Sequence, residues 1–134
     1  MDTAPTSTIQ VAFQTIAKGP RSGVREFQQQ IARNQREWKT LWQRHSATET
    51  NTPPPPVVDF NREIVVAVFL GEKPTGGFAV EIVRVGPQNG ELAIDFREIN
   101  PASGAMVAQG LTQPFHIVRI DGEVGTKVTF RRES

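Results

Sequence analysis

Residues 64–70, IVVAVFL, carry no polar side chain on either of the two faces that a strand would present. A half-exposed strand alternates, so an unbroken apolar run of this length predicts a central strand covered on both sides. The run closes in GEKPTGGF (71–78) and a second, alternating run follows at 78–85. The linking segment reads as a tight loop between two strands. Pro74 suits the second position of a type I turn because its ring fixes φ, Thr75 is tolerated third, Gly76 is favoured fourth, and Gly77 adds backbone freedom at the exit. An exposed tip with an aromatic, Phe78, at its base has the makeup of a contact surface rather than of a catalytic centre.

The cover on one side of that strand is legible in the sequence. Asn34 is a good N-cap, and Glu37 stands three residues on, as in a capping box. Trp38, Leu41, Trp42 and His45 then follow at helical spacing on one face. This predicts a helix over about 35–46 whose aromatic stripe packs on a sheet. Pro53 to Pro56 cannot continue a helix or join a central strand, so they form a stiff polyproline connector from helix to sheet.

Elsewhere the reading is coarser. Residues 1–7 are short, polar and proline-containing and are read as a tail, leaving 8–134 as one domain. Ile9, Val11 and Phe13 alternate as a half-buried strand until Lys18-Gly19-Pro20 stops it. Residues 24–32 fit strand or helix, and the Ser22-Gly23 break before them favours a strand. Further strands are expected at 63–70, 78–85, 91–99, 115–120 and 126–131, giving a main sheet over 62–132 with compact turns at 86–90 and 121–125. The fold expected is mostly β (α+β): an antiparallel β-sandwich or partly closed barrel with one α-helix packed on the sheet.

Composition narrows the function. Fifteen basic and 14 acidic side chains give a formal charge of +1, too little to compete for a phosphate backbone, so nucleic acid is not expected as a partner. Without cysteine there is no disulfide framework and no thiolate chemistry. No window reaches the length of a membrane span, and MDTAPTST lacks the basic patch and apolar core of a signal peptide. A polar Thr/Pro-rich start also fits an exported chain after removal of its signal peptide, so a periplasmic or envelope location stays open.

Catalytic constellations are missing by residue type. Gly71-x4-Gly76 has half the spacing of a phosphate loop, but Gly77 and Phe78 stand where lysine and a hydroxyl residue are needed. His45 and His116 lack metal-ligand spacing and read as a helix-end histidine and a strand histidine with an ordinary hydrogen bond. Asp95 and Arg97 share a strand face, where a solvated charge row is expected, and Arg131-Arg132 read as a solvated terminus. No cofactor, metal or catalytic residue is assigned, and the chain reads as non-enzymatic.

In an up-and-down meander alternate connections fall on one end, so 71–77 and the longer connection 100–114, with a bulged strand at 106–109, should share a rim. The residues expected to contact a partner there are Lys73, Pro74, Thr75, Gly76, Gly77, Phe78, Thr112, Gln113, Pro114 and Phe115.

Lys73-Pro74-Thr75-Gly76-Gly77-Phe78, Val80-x-Ile82 and the run Gln109-Gly110-Leu111-Thr112-Gln113-Pro114-Phe115-His116-Ile117-Val118 resemble the PrcB C-terminal family, the bacterial protease-complex stability domain. Glu37-Trp38-Lys39-Thr40-Leu41-Trp42-x-x-His45 and Val58-Asp59-Phe60 resemble the segment preceding that core. The resemblance implies an export-associated bacterial accessory subunit that supports a protease complex without cleaving anything, its partner being a protease or another subunit. Pro74-Thr75-Gly76-Gly77-Phe78 and Gln113-Pro114-Phe115 are also similar, more weakly, to two loops of chagasin-type cysteine-peptidase inhibitors, which implies peptidase inhibition as an alternative. A small-ligand or carbohydrate-binding module is the third reading.

Overall fold

The apolar run lies at the middle of a three-layer arrangement in the computed structural model, which describes residues 10–47, 52–88, 90–122 and 125–133. The expected tail and the first two residues of the expected N-terminal strand lie outside them. In chain order the elements are β1 (Phe13–Gly19), β2 (Gln28–Ala32), α1 (Gln35–His45), β3 (Glu63–Phe69), β4 (Lys73–Thr75), β5 (Ala79–Gln88), β6 (Glu91–Ile99), β7 (Gln109–Thr112), β8 (Phe115–Asp121) and β9 (Val128–Arg132). Among the described residues the fold is mostly strand with one short helix, and no barrel closes.

β3 is central as its composition demands. It pairs antiparallel with β2 on one side and β8 on the other, and β1 completes the sheet in the order β1-β8-β3-β2. One face buries Ile64, Val66, Val68, Val118 and Ile120 against Val80, Ile82, Val85, Leu92, Ile94 and Phe96 of a second sheet, β5-β6-β9. The other buries Val65, Ala67, Phe69, Phe115 and Ile117 under Trp38, Leu41 and Trp42. Each buried side chain of this size contributes about 1.5–3 kcal/mol, so a strand buried on both faces anchors both layers.

The helix is built as the sequence predicts at its N-terminus. The Asn34 side chain accepts from the Glu37 N–H at 2.9 Å, and the Glu37 carboxylate reaches back to the Arg33 N–H at 2.7 Å. The two indoles donate to the proline connector: Trp38 Nε1 to the Pro56 carbonyl at 2.8 Å and Trp42 Nε1 to that of Pro53 at 2.9 Å. Polyproline II repeats every three residues, which turns the carbonyls of 53 and 56 to the same side, and residues 38 and 42 share a helix face. The connector is therefore fixed to the helix.

Four expectations are corrected. The main sheet is not one meander over 62–132 but two sheets and a ribbon, because β3 takes β2 and β8 as neighbours rather than β5. β9 pairs with β6 in parallel, not antiparallel, and it includes Arg131 and Arg132, which are exposed as a solvated terminus would be but held in a strand. β5 runs on to Gln88 opposite Glu91, carrying Gly86 and Pro87 inside it; a proline is tolerated where a strand has a partner on one side only. The bulged strand expected at 106–109 is instead β7, three residues further on.

β1 leaves its neighbour abruptly. Its ladder with β8 ends at Gly19↔Phe115, and the next bond is Gln113 N–H to the Pro20 carbonyl at 2.7 Å. Beyond Pro20 the chain turns to the C-terminus of α1, where Gly23 N–H donates to the His45 carbonyl at 2.7 Å and Ser22 Oγ hydrogen-bonds His45 Nδ1 at 2.9 Å. A Cβ on Gly23 would stand 2.4 Å from the Arg44 carbonyl oxygen. Gly23→Ala is therefore expected to lower stability by about 2 kcal/mol in urea denaturation. A change within about 0.5 kcal/mol would show that this contact yields freely.

Candidate functional site

At one pole β3 and β8 continue past the sheet as the two-stranded ribbon β4–β7. Leu70 N–H donates to the Pro114 carbonyl at 2.9 Å, Gly71 turns at φ +87°, and Lys73 then pairs with Thr112 and Thr75 with Gln109. Side chains tie the ribbon together: Thr112 Oγ1 donates to the Thr75 carbonyl at 2.9 Å, and Gln113 Nε2 to Glu72 Oε1 at 3.0 Å. The Gly76 N–H closes on the Ala108 carbonyl at 2.9 Å. Gly77, at φ +90°, could not carry a side chain, because a Cβ would meet Val107 Cγ1 at 2.8 Å and Pro101 Cβ at 2.9 Å. Residues 71–78 and 100–114 are thus side by side at one pole. What joins them is direct pairing, not the meander parity used to anticipate it.

The type I turn at Pro74 gives way to strand. Pro74 sits mid-β4 and is exposed, and the reversal is made by the positive-φ residues Gly71 and Gly77. Among the ten expected contact residues, Pro74 and Gly77 are exposed, while Lys73, Thr75, Gly76, Phe78 and Gln113 are half-buried. Thr112, Pro114 and Phe115 are buried; the Phe115 ring lies 4.2 Å from the His45 ring under the helix. Lys73 Nζ sits 3.2 Å from Glu98 and 5.6 Å from the centroid of Phe78, holding that ring beneath the ribbon. The pole's apolar surface comes from residues outside the expected contact set: Met106 is fully exposed, Leu111 is 55% exposed and Ile99 is 37% exposed. The available signal was a methionine and a leucine inside a long Gly/Ala/Gln-rich connection without the alternation of a half-buried strand.

Residues 64–121, from the first core position of β3 to the end of β8, match the family described as PrcB C-terminal. Over this segment the chain is similar to the PrcB C-terminal family. No curated protein and no solved structure matches the chain. The whole β4–β7 ribbon, the connection 100–108 and the second sheet up to β6 fall inside the matched segment, while α1, the proline connector, β1, β2 and β9 are added around it.

Two polar clusters join this segment to the strands added around it. Asp95 is buried, contrary to the solvated charge row expected of it. Arg131 Nε and Nη2 reach its two oxygens at 2.8 and 3.1 Å, and Arg84 Nη2 donates to Oδ2 at 2.9 Å. Burial pushes this carboxyl up, but the Arg131 and Arg84 hydrogen bonds outweigh it and hold the group below its ordinary range. The clamp fastens β9 to β6.

His116, 3% exposed, accepts the Ile82 N–H at Nδ1 (2.9 Å) and therefore carries its proton on Nε2, which donates to Thr15 Oγ1 at 2.8 Å. An imidazole donating to a hydroxyl cannot take that hydroxyl's proton, so the pair is not an activated nucleophile. Burial drives His116 down to about 4, helped by Lys18 and opposed by Glu81. Beside it an open cleft of about 590 Å³ is lined by Thr15, Lys18, Glu81 and Arg97. Glu81 is shared there by two cations, with Arg97 Nη2 at 2.9 Å and Lys18 Nζ at 3.6 Å.

Proposed function

We propose that the chain is a non-enzymatic, protein-binding accessory domain that associates with a protease complex through the ribbon pole. The observation that carries this reading is a largely exposed Leu111 mounted on a hydrogen-bonded ribbon, with a fully exposed Met106 in the connection that leads into it, while Phe78 and Phe115 at the ribbon's base are half-buried and buried. Apolar side chains held at one place on a rigid support mark an interaction surface. A preformed ribbon loses little conformational entropy on docking, so a modest contact area suffices. The family match supports a protease-complex partner. The His116 tautomer and the clamped Asp95 support a binding rather than a catalytic role. Burial of Pro114 and Phe115 favours this reading over a chagasin-like wedge, which needs that second loop free.

Met106→Asp combined with Leu111→Asp is expected to reduce the peptidase activity retained from source-cell extract by the immobilised chain about tenfold or more. Because both side chains are exposed, the unfolding free energy should move by no more than about 0.5 kcal/mol. Retention equal to that of the unaltered chain would remove the pole from the interaction.

A further inference from the structure

The ribbon outruns its own sheet on one flank. β8 is paired on both sides, by β1 and β3, but β7, which continues β8 through Gln113 and Pro114, has a partner only in β4. The strand that would lie along its other edge is β1, and β1 ends there: Pro20 gives the last carbonyl to Gln113, and Ser22-Gly23 are fastened to α1. Among the described residues nothing else pairs with that edge.

Exposed strand edges in native folds are guarded by proline or charge. Here β4 has Pro74 at its centre, β5 has Arg84 and Pro87, β9 has Arg131 and Arg132 and β1 has Lys18, whereas the edge strand β2, Gln-Gln-Gln-Ile-Ala, has neither. β7 reads Gln-Gly-Leu-Thr, likewise with neither. Gln109, Gly110 and Leu111 are exposed, and a Cβ on Gly110, which sits at φ +116°, would meet nothing within 4 Å, so the face beside this edge is open. Unpaired main-chain groups along a strand edge are matched by one kind of molecule, an extended polypeptide, with alternate side chains reading the surface alongside. That surface offers Leu111 and Met106.

We propose that the outer edge of β7 takes up an extended segment of the partner protein as an added strand, antiparallel to β7 and in line with β1, with an apolar side chain against Leu111. This rests on the pole being the docking surface and specifies what docks there. The test is selection of phage-displayed random octapeptides on the full chain, followed by synthesis of an enriched peptide in two N-methylated forms, one for each alternate set of residues. Strand addition turns only one set of amides toward the edge, so one form should lose affinity by about tenfold or more and the other should bind like the parent. The parent peptide should also slow hydrogen exchange at residues 109–111.

Equal behaviour of the two methylated forms, protection confined to other strands, or no enrichment overturns strand addition. If Met106→Asp with Leu111→Asp still releases the peptidase in that case, the pole survives as a side-chain interface. If it does not, both ideas fall.

Discussion

Trp38→Ala will destabilise the fold by about 4 kcal/mol, the cost of emptying a fully buried indole site in a core that cannot close over it. For 134 residues that corresponds to a fall in Tm of roughly 14 °C. The indole has two roles, filling space under Val65, Ala67 and Phe69 and donating to the Pro56 carbonyl. Trp38→Phe separates them. It keeps much of the volume and leaves a carbonyl unpaired, and should cost about 1–2 kcal/mol. Urea denaturation with an unchanged m-value gives both numbers. A Trp38→Ala loss below about 1 kcal/mol would mean that the helix is not the cover of β3.

That layer was readable because local rules and tertiary demand coincide. Asn34 and Glu37 can satisfy the first turn whatever surrounds them, and Trp38, Leu41 and Trp42 must face whatever sheet is present. The unbroken apolar run of β3 likewise fixes burial on both faces without reference to neighbours. Neighbours themselves are another matter. Alternation tells which face of a strand is buried, not which strand lies beside it, and so it could not show that β8 comes between β3 and β1 or that β9 runs parallel to β6.

The site was legible in place and less so in detail. Proline and glycine serve both tight turns and edge strands, so KPTGG located the chain reversal but assigned Pro74 to the turn rather than to β4. Asp95 was misread because a charge in an alternating strand is normally solvated, and its Arg131 partner is 36 residues away in sequence. Thr112, Pro114 and Phe115 belong to the same motif run as the exposed Leu111, yet they lie where the ribbon re-enters the sheet and are buried by it. A motif marks a stretch of chain, and its exposure is decided by what packs on that stretch.

Acidification will then expose the weakest point of the interior. His116 is neutral in the folded chain down to about pH 4, whereas unfolded it takes a proton near its ordinary value of 6.5. Above pH 6.5 both states are neutral and the group contributes no pH dependence. Between about 6.5 and 4 the unfolded chain binds the extra proton, so stability falls as pH falls, by up to about 3 kcal/mol in all. Protonation would also put a hydrogen on Nδ1, which now accepts the Ile82 N–H, and so break the link between β8 and β5. Asp95 acts in a different window, because its contribution is held until the pH drops through a carboxyl range already lowered by Arg131 and Arg84. His116→Gln, which retains an acceptor but cannot titrate, should be less stable at neutral pH yet lose clearly less between pH 6.5 and 4, the remainder coming from carboxylates such as Glu81 that Arg97 holds below their ordinary range. Parallel losses in the two proteins across that interval would place the acid sensitivity elsewhere.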